Sequence, residues 1–454
     1  MRFAVIPALI AVFALSAPSG AVAAQSSNVK SIASIPTLPA AISINFIGDT
    51  MFVSTVHGVY SYDVSNPASP QLLGALPMYI WENEDVSVDP VRKLLFISRD
   101  PRGFTSPATG GDQFPYGAVH IIDVSDPHVL TQINMFLVPA GHTTSCVNHC
   151  DYIWTSGPYA NAQTQPQWHG RPIFATDVRD PLHPVPCPAP IDTDHNFGKN
   201  DYVHDVQVDA AGVAWVSGQG GVRGYWTSGR HFDATRHAMR IATGCDPVPY
   251  AGAGTPKSAT SSQFMHNSWR DSRRRPDVLL ATEENIVSDC KTSGRFVTYS
   301  LSGTHDGQGF RPETDGTATM KVLDTWWPEN QPGSTGCDSS HYFTERADGI
   351  TANAFYTQGV RFLDTSNPSD IRQVGYFVNS DSDTWAAYWH KGYVYVADFQ
   401  RGVDVLKFEG KAGEARTVRA PRVVHAAQGP ALQFSRSVFG GLCPLHVGAA
   451  VTGR

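Results

Sequence analysis

The sequence predicts an all-β fold, a seven-bladed β-propeller of four-stranded blades, and three observations support this prediction. A phrase that opens with glycine, alternates apolar residues and closes on an Asx-Pro turn recurs along the chain, with clear copies at residues 58–67, 117–127 and 359–368. Two strand-like runs precede each copy and one follows it, which gives four runs per unit at a spacing of roughly 40–60 residues. Residues 30–410 show almost no helical periodicity, so short strands separated by Gly and Pro account for this region.

The chain begins with a stretch that is typical of a secretion signal, which we assign to residues 1–24. Arg2 supplies positive charge, residues 3–15 are apolar, and residues 21–24 are small and suit a cleavage site. An uncleaved membrane anchor is the alternative, although the apolar run is short for a spanning helix. No later segment is long and apolar enough to cross a membrane, so we expect a secreted or otherwise extracytoplasmic protein.

The propeller itself is predicted to span residues 29–408. The seventh unit ends one strand short after Phe408, and residues 29–36 look like a strand without a blade of its own. Because open sheet edges invite aggregation, we expect this N-terminal strand to complete the last blade and close the ring. Residues 409–454 lose the strand pattern and form a C-terminal tail, for which partial disorder is one alternative.

The repeated phrases resemble those of LVIVD-repeat proteins, a family of secreted β-propellers. Residues 60–67, 120–127 and 361–368 carry the resemblance, which extends through weaker repeats over most of residues 40–407. The resemblance implies an exported propeller. It implies no reaction, because the family name describes a repeat and a fold does not fix an activity.

The net charge of the chain limits the kinds of partner that it is expected to bind. A formal net charge of −7 argues against a general nucleic-acid-binding protein, which would carry a basic face. The expected partner is therefore a small molecule or a surface or extracellular ligand. We expect a monomer with no transmembrane segment after removal of the signal.

All seven cysteines follow the signal, which fits an oxidising compartment. We take Cys245–Cys290 as the first choice of disulfide because both residues flank a long insertion within one blade, and Cys150–Cys187 as the second. Sequence alone does not fix the connectivity, and the odd count leaves at least one thiol free or paired between chains. A zinc site near Cys150 is a weaker alternative.

Five residues with metal-binding side chains occupy equivalent places in five successive units, at the start of the innermost strand, and they are Glu84, His142, His204, His266 and His341. In a propeller these starts ring one mouth of the central channel. Imidazole is a preferred ligand of transition metals, and a carboxylate widens the choice, so we predict a metal site with copper first and zinc second. The structural alternative is a set of polar side chains that bond backbone groups or line a water-filled tunnel.

Three further carboxylates are predicted to support this site from behind. Asp205 follows His204 directly, and Glu283 and Glu284 end the strand-like run at residues 278–282. A carboxylate that orients an imidazole is a common outer partner in metal sites. For Glu283 and Glu284 an exposed loop pair is the alternative.

Two classes of function follow from these residues. The first is a metal-dependent oxidase of small molecules. The layout is similar to that of the selenium-binding protein and methanethiol oxidase family, which implies an exported copper propeller that oxidises small thiols. That similarity is architectural and carries no long shared motif, so it transfers neither substrate nor metal. The second class is a non-enzymatic scaffold that binds a protein or carbohydrate ligand. The sequence does not decide whether the protein is an enzyme. The metal content of the purified protein would distinguish the oxidase from the scaffold.

Overall fold

The structure is a seven-bladed β-propeller, as predicted. It is a computed structural model that describes residues 23–38, 40–78, 80–81, 83–100, 117–157, 170–171, 173–191, 201–218, 221–233, 236–250, 264–284, 294–301, 320–328 and 339–420. Within these segments the chain forms strands and no helix. Seven sheets of four or five strands make the blades, and a separate two-stranded hairpin accompanies blade 4.

The first three blades follow two N-terminal strands, β1 (Ala23–Gln25) and β2 (Val29–Ile35). Their strands run from the channel outward in chain order. Blade 1 contains β3 (Ala41–Ile47), β4 (Thr50–Thr55), β5 (Gly58–Asp63) and β6 (Gln71–Pro77). Blade 2 contains β7 (Val86–Asp89), β8 (Leu94–Arg99), β9 (Gly117–Asp123) and β10 (Thr131–Val138). Blade 3 contains β11 (Thr143–Val147), β12 (Tyr152–Ser156), β14 (Phe174–Asp177) and β15 (Val185–Pro186), and β13 (Gly170–Arg171) joins blade 4.

The remaining blades repeat this order. Blade 4 contains β16 (Asp201–Val208), β17 (Val213–Gly218), β18 (Gly221–Trp226) and β21 (Val248–Pro249), with the hairpin β19 (Arg230–Asp233) and β20 (Ala238–Ile241). Blade 5 contains β22 (Phe264–Trp269), β23 (Val278–Glu284), β24 (Phe296–Ser300) and β25 (Lys321–Trp326). Blade 6 contains β26 (Phe343–Glu345), β27 (Ile350–Ala354), β28 (Val360–Asp364) and β29 (Arg372–Asn379). Blade 7 contains β30 (Thr384–His390), β31 (Tyr393–Asp398) and β32 (Gly402–Phe408).

The N-terminal strand closes the ring, which confirms the prediction from the unpaired run. Strand β2 pairs antiparallel with β32, from Val29 opposite Phe408 to Ile35 opposite Val403. Blade 7 is therefore assembled from both ends of the propeller, and the edge of β32 is covered. Strand β1 adds a fifth strand to blade 6 by pairing with β29.

Buried apolar clusters hold each blade to its neighbours, and among the described residues one cluster lies at each of the seven interfaces. Strand β8 shows how one strand serves two interfaces. Leu95 and Ile97 pack toward blade 1, whereas Leu94 and Phe96 pack toward blade 3. Successive side chains of a strand point to opposite faces, so an unbroken apolar run fits a sheet that is covered on both sides.

The repeated glycine has a steric cause. Gly402 has φ +86°, and a Cβ atom there would lie 2.2 Å from the carbonyl oxygen of Ile35 in the neighbouring strand. The Asx-Pro end of the phrase is a side-chain-stabilised turn, because Asp63 Oδ1 accepts the Ser65 N–H at 2.8 Å. These two constraints explain why the phrase recurs from blade to blade.

The disulfides differ from both predicted pairings. Cys146 bonds to Cys150 and Cys187 bonds to Cys245, so neither Cys245–Cys290 nor Cys150–Cys187 forms. Cys187 directly follows the outermost strand of blade 3, and Cys245 lies between the hairpin and β21 of blade 4. Trp154 of blade 3 donates to the Gly244 carbonyl at 2.8 Å, so the two blades are in contact at this place. Cys290 lies outside the described residues.

The first part of the predicted tail packs on blade 6. The Gly413 N–H donates to Asp364 Oδ2 at 2.7 Å, and the Val418 N–H donates to the Gln373 carbonyl at 2.9 Å. Residues 421–454 and most of the predicted signal, residues 1–22, lie outside the described residues. In the described part of the chain no helix is long and apolar enough to cross a membrane.

Candidate metal centre

The four histidines and Glu84 occupy one equivalent slot in blades 2 to 6. In blades 4 and 5 the slot residues, His204 and His266, lie where a β-bulge interrupts the pairing of the innermost strand. A bulge inserts one extra residue into a strand, and the side chain of that residue no longer follows the alternation between the two faces of the sheet. Blades 1 and 7 carry the same register shift, and there it presents Ile42 and Trp385. In blades 2, 3 and 6 the slot lies just before the innermost strand.

The five predicted side chains converge, and all five are fully buried. The Glu84 carboxylate lies among the four rings. Its oxygens are 3.1 Å from the Nε2 of His266, 3.4 Å from that of His204, 3.5 Å from that of His142 and 3.6 Å from that of His341. The Nε2 atoms of His142 and His204 are 2.9 Å apart. Five blades thus contribute potential metal ligands around one carboxylate.

Hydrogen bonds to backbone carbonyls fix which nitrogen of two rings faces inward. His204 Nδ1 donates to the His266 carbonyl at 3.1 Å, and His341 Nδ1 donates to the Trp385 carbonyl. A carbonyl oxygen only accepts, so in the neutral rings Nδ1 carries the proton. The Nε2 atoms of both rings therefore present lone pairs to the centre.

The other two rings differ from each other. His142 Nδ1 lies 3.0 Å from the Asp100 carboxylate, an arrangement that directs the Nε2 of His142 inward. His266 points Nε2 at Glu84, and its Nδ1 is buried without a hydrogen-bond partner among the described residues. Such a buried polar atom is uncommon in folded proteins.

The donor set fits a transition metal. Two ligands about 2.0–2.2 Å from one ion lie about 2.8–3.6 Å apart at octahedral or tetrahedral angles. The separations of 2.9–3.6 Å around Glu84 match that spacing. The inward Nε2 lone pairs of His204 and His341 and the Glu84 carboxylate are acceptors that lie close together, and such a cluster attracts a cation.

Two overlapping groups of side chains could each hold a metal ion. Glu84, His204 and His266 form one, and His266, Glu284 and His341 form the other, each with its ligand atoms within 4.8 Å of one another. His266 belongs to both groups. It is therefore the ligand whose loss affects the site most broadly.

Burial and mutual repulsion keep two of the imidazoles neutral. Burial lowers the pKa of His266 to about 3 and holds the pKa of His204 well below its usual range. Burial acts in the opposite sense on Glu84, but the surrounding imidazoles hold its pKa well below its usual range. The pKa of His341 is raised because Glu84 and Glu284 outweigh the effect of burial. Neutral imidazoles around an ionised carboxylate are in the protonation states that metal binding requires.

The three predicted supporting carboxylates have different surroundings. Glu284 lies beside the rings, as part of the second ligand group. Glu283 instead forms an ion pair with Arg295, with Oε2 at 2.7 Å from Nε. Asp205 accepts from the Asn267 amide at 2.6 Å and from Gln207 at 3.2 Å, and burial raises its pKa to about 6.

Sequence reasoning missed the residues that support the site from second strands and loops. Asp100 follows β8, and Tyr356 donates to Glu284 Oε1 at 2.6 Å. Neither residue lies at the start of an innermost strand, where the predicted ligands lie. Asp100 directly follows the second strand of blade 2, and Glu284 is the last residue of the second strand of blade 5. A search for acidic residues at the ends of second strands could therefore have identified Asp100.

An apolar cluster borders the site on the side of blades 7 and 1. It contains Ile42, Trp81, Tyr356, Trp385 and Phe399. The rings of Tyr356 and Trp385 lie 4.9 Å and 5.4 Å from the ring of His341. This wall shields the imidazoles from water on that side, which strengthens electrostatic interactions within the site.

Comparison with known proteins supports the repeat and the fold. A family model described as the LVIVD repeat matches residues 56–76. The resemblance to LVIVD-repeat propellers is thereby confirmed. No curated protein matches the sequence significantly.

Solved propellers align with nearly the whole ring. A periplasmic gluconolactonase of Pseudomonas aeruginosa, PpgL, is 14% identical, with a TM-score of 0.52 over 86% of this chain and 97% of that one. The β-propeller domain of Cps50 (Swd1) from Myceliophteria thermophila is 9% identical, with a TM-score of 0.51 over 84% and 99%. At such identities the likeness concerns the fold alone.

Proposed function

We propose that this protein is an exported LVIVD-repeat propeller that binds one transition-metal ion at the axis and oxidises a small molecule there. One observation carries the metal proposal. The Nε2 atoms of four rings surround the Glu84 carboxylate at ligand-to-ligand spacing, and the backbone hydrogen bonds of His204 and His341 turn their Nε2 atoms toward it. Copper is the first choice and zinc the second, because several imidazoles without a thiolate suit both.

The protein's own residues would perform three tasks in this function. Glu84 and the histidines hold the ion, and Asp100 and the Trp385 carbonyl orient two of the rings. Burial excludes bulk water and keeps His204 and His266 unprotonated. The bound ion would supply one-electron redox chemistry as copper, or Lewis acidity as zinc.

Export is proposed from the N-terminal signal and from the disulfides Cys146–Cys150 and Cys187–Cys245. Disulfides persist in oxidising compartments, and the fold also occurs in a periplasmic protein. The test is the size and location of the mature chain. Mass spectrometry should find an N terminus near residue 25 on protein recovered from outside the cytoplasm.

Metal analysis tests the central proposal. Protein purified without chelators and reconstituted with copper or zinc should hold about one ion per chain. His266→Ala and His204→Ala should lose that ion, whereas His183→Ala should retain it, because His183 is an exposed turn residue that contacts Asp180. A folded protein that takes up no transition metal would leave the scaffold, which binds a protein or carbohydrate, as the function.

The oxidase part is tested separately. Copper-loaded protein should consume dioxygen in the presence of one or more small thiols, and the zinc-loaded protein should not. Metal binding without any such turnover would restrict the proposal to a metal-binding propeller.

A further inference from the structure

A cavity of about 360 Å³ adjoins the metal centre within the channel. Residues of the innermost strands line it, together with Tyr342, which follows His341 by one position. The centre of the Tyr342 ring lies 4.8 Å from that of His266 and 5.1 Å from that of His341. The cavity therefore reaches a side chain that packs against the imidazoles. Its volume falls in the usual range of ligand pockets, about 300–1,000 Å³.

The walls of this cavity are aromatic. Six of its lining residues carry aromatic rings, namely Phe46, Trp269, Tyr342, Phe343, Tyr388 and Trp389. Aromatic side chains offer a large apolar area and gain further from offset or edge-to-face contact with another ring. Such walls favour a ligand that is itself aromatic.

The lining offers no free charge to a charged ligand. No Lys, Arg or His lines the cavity, and its acidic residues are Asp85 and Glu345. Glu345 forms an ion pair with Arg275. Asp85 is hydrogen-bonded to Gln207, and burial and neighbouring carboxylates raise its pKa well above the usual range. An ionic group would lose its water here without gaining a counter-charge, so an uncharged ligand fits this lining better.

Most polar groups of the lining already have partners within the protein. The side-chain amide of Asn45 donates to a backbone carbonyl at 2.7 Å, and that of Asn267 donates to Asp205 at 2.6 Å. The Tyr388 hydroxyl lies 3.3 Å from the hydroxyl of Ser43. A sugar would have to give up many hydrogen bonds to water and would find few replacements in this cavity.

Two buried polar groups of the lining residues lack a partner among the described residues. They are the hydroxyl of Tyr342, a residue that is 2% exposed, and the indole N–H of Trp389. The Tyr342 hydroxyl lies near Asp85 and Tyr388, both of which line the cavity. A buried hydroxyl without a partner is costly, so a ligand oxygen that bonds to it would stabilise the complex.

We propose that this cavity binds an uncharged aromatic compound that carries one hydroxyl or carbonyl oxygen. The ring of the ligand packs between the aromatic walls, and its oxygen bonds to the Tyr342 hydroxyl. The site goes beyond the proposed metal function and does not require a bound metal.

The test compares probes of similar size that differ in one property. Benzyl alcohol has the proposed chemistry, cyclohexylmethanol lacks the aromatic ring, benzylamine is a cation at neutral pH, and benzoate is an anion. Calorimetric titration of the purified full chain should show one site for benzyl alcohol, with a dissociation constant in about the millimolar range. Cyclohexylmethanol should bind about 2–10-fold more weakly, and the two charged probes more weakly by about tenfold or more.

Variants locate the binding. Tyr342→Phe should weaken benzyl alcohol binding by a few-fold and leave the binding of toluene, which has no oxygen, unchanged. Trp269→Leu should weaken both probes, because it removes one aromatic wall. Tyr393→Phe and Trp327→Leu are matched controls outside the cavity lining and should have no effect. Thermal unfolding shows that each variant is folded before it is titrated.

Four results would overturn the proposal. They are binding of benzylamine or cyclohexylmethanol as tight as that of benzyl alcohol, benzyl alcohol binding that folded Tyr342→Phe and Trp269→Leu proteins retain in full, tighter binding of glucose, and no benzyl alcohol binding at millimolar concentration. Because calorimetry reads the organic ligand directly, chelator-treated protein should give the same result. A failed metal proposal therefore leaves this test intact.

Discussion

The ring has two unlike sectors, and they differ in chemistry rather than in backbone. Blades 2 to 6 place Glu84 and four histidines in the slot at the start of the innermost strand, whereas blades 1 and 7 place Ile42 and Trp385 there. We call the first the site sector and the second the seam, because blade 7 joins the two ends of the propeller. The comparison teaches that the fold supplies seven similar positions and that side-chain identity alone decides where a ligand can bind.

The two sectors are also held together differently. The seam depends on strand pairing between β2 and β32 and on apolar packing with blade 1, and the described residues show no covalent link there. The site sector has a disulfide, Cys187–Cys245, that ties blade 3 to blade 4. Each difference leads to a measurement.

The largest expected effect lies in the seam. Deletion of residues 29–35 exposes the edge of β32 and removes Val29 and Ile35 from the core, so unfolding free energy should fall by several kcal/mol. Thermal unfolding measures this loss. A synthetic peptide of residues 26–38 should restore the melting temperature, and a scrambled peptide should not. An unchanged melting temperature in the deletion variant would contradict closure by β2.

The next effect lies in the site sector. Cys187→Ser opens a disulfide that spans 58 residues, so the chain-entropy relation gives a loss of about 4 kcal/mol. Cys146→Ser opens one that spans 4 residues and should cost about 2 kcal/mol. Denaturant unfolding compares the two variants. Equal losses would show that loop entropy does not govern these bonds.

A smaller effect is expected on metal affinity, which should depend on the site sector and not on the seam. Asp100→Asn weakens the hold on the His142 ring, so affinity for the metal should fall by about 10–100-fold. Asp398→Asn alters an equally buried carboxylate that ends the second strand of blade 7, where it accepts from Thr384 and backbone N–H groups. That control should leave metal affinity unchanged. Competition with a chelator measures both, and equal losses would contradict the role assigned to Asp100.

The smallest effect is a pH dependence of the metal-free protein. The pKa of His266 is lowered to about 3, against about 6.5 in the unfolded chain, so the unfolded state takes up a proton first as pH falls. The resulting stability is fully present above pH 6.5 and is lost on acidification toward pH 3, with a slope of at most about 1.4 kcal/mol per pH unit. Urea unfolding at pH 7.5 and 5.5 measures the slope.

Variants in both sectors sharpen this measurement. His266→Gln should reduce the slope, because it removes the group that titrates. Ile42→Val in the seam should retain the slope, because neither side chain titrates. An equal slope in all three proteins would show that another group controls acid sensitivity.

The fold and the convergence of the five slot residues could be predicted because both depend on features that repeat along the chain. The glycine of each phrase answers a local steric constraint, as Gly402 shows, and the slot lies near the start of the innermost strand in each blade. Asp100 and the Trp385 carbonyl could not be predicted in the same way. Their roles depend on how neighbouring blades meet at the axis, which no single repeat encodes.

The cysteine pairing failed for a related reason. Cys187 and Cys245 lie in neighbouring blades and meet where blade 3 contacts the segment between the hairpin and β21 of blade 4. Grouping cysteines by unit favours partners within one blade and overlooks this contact. Glu283 shows the same limit on a smaller scale, because the sequence does not reveal that Arg295 lies opposite it.

The bulge in the innermost strand has a consequence for how such a protein can change over time. Because the same irregularity already aims Ile42 and Trp385 in the seam, the backbone there needs no rebuilding before a new side chain can face the axis. Substitution of a single residue can therefore add or remove a potential metal ligand at any of the seven slots. Evolution can therefore change the number of ligands and the charge of the site one blade at a time, without altering the closed ring.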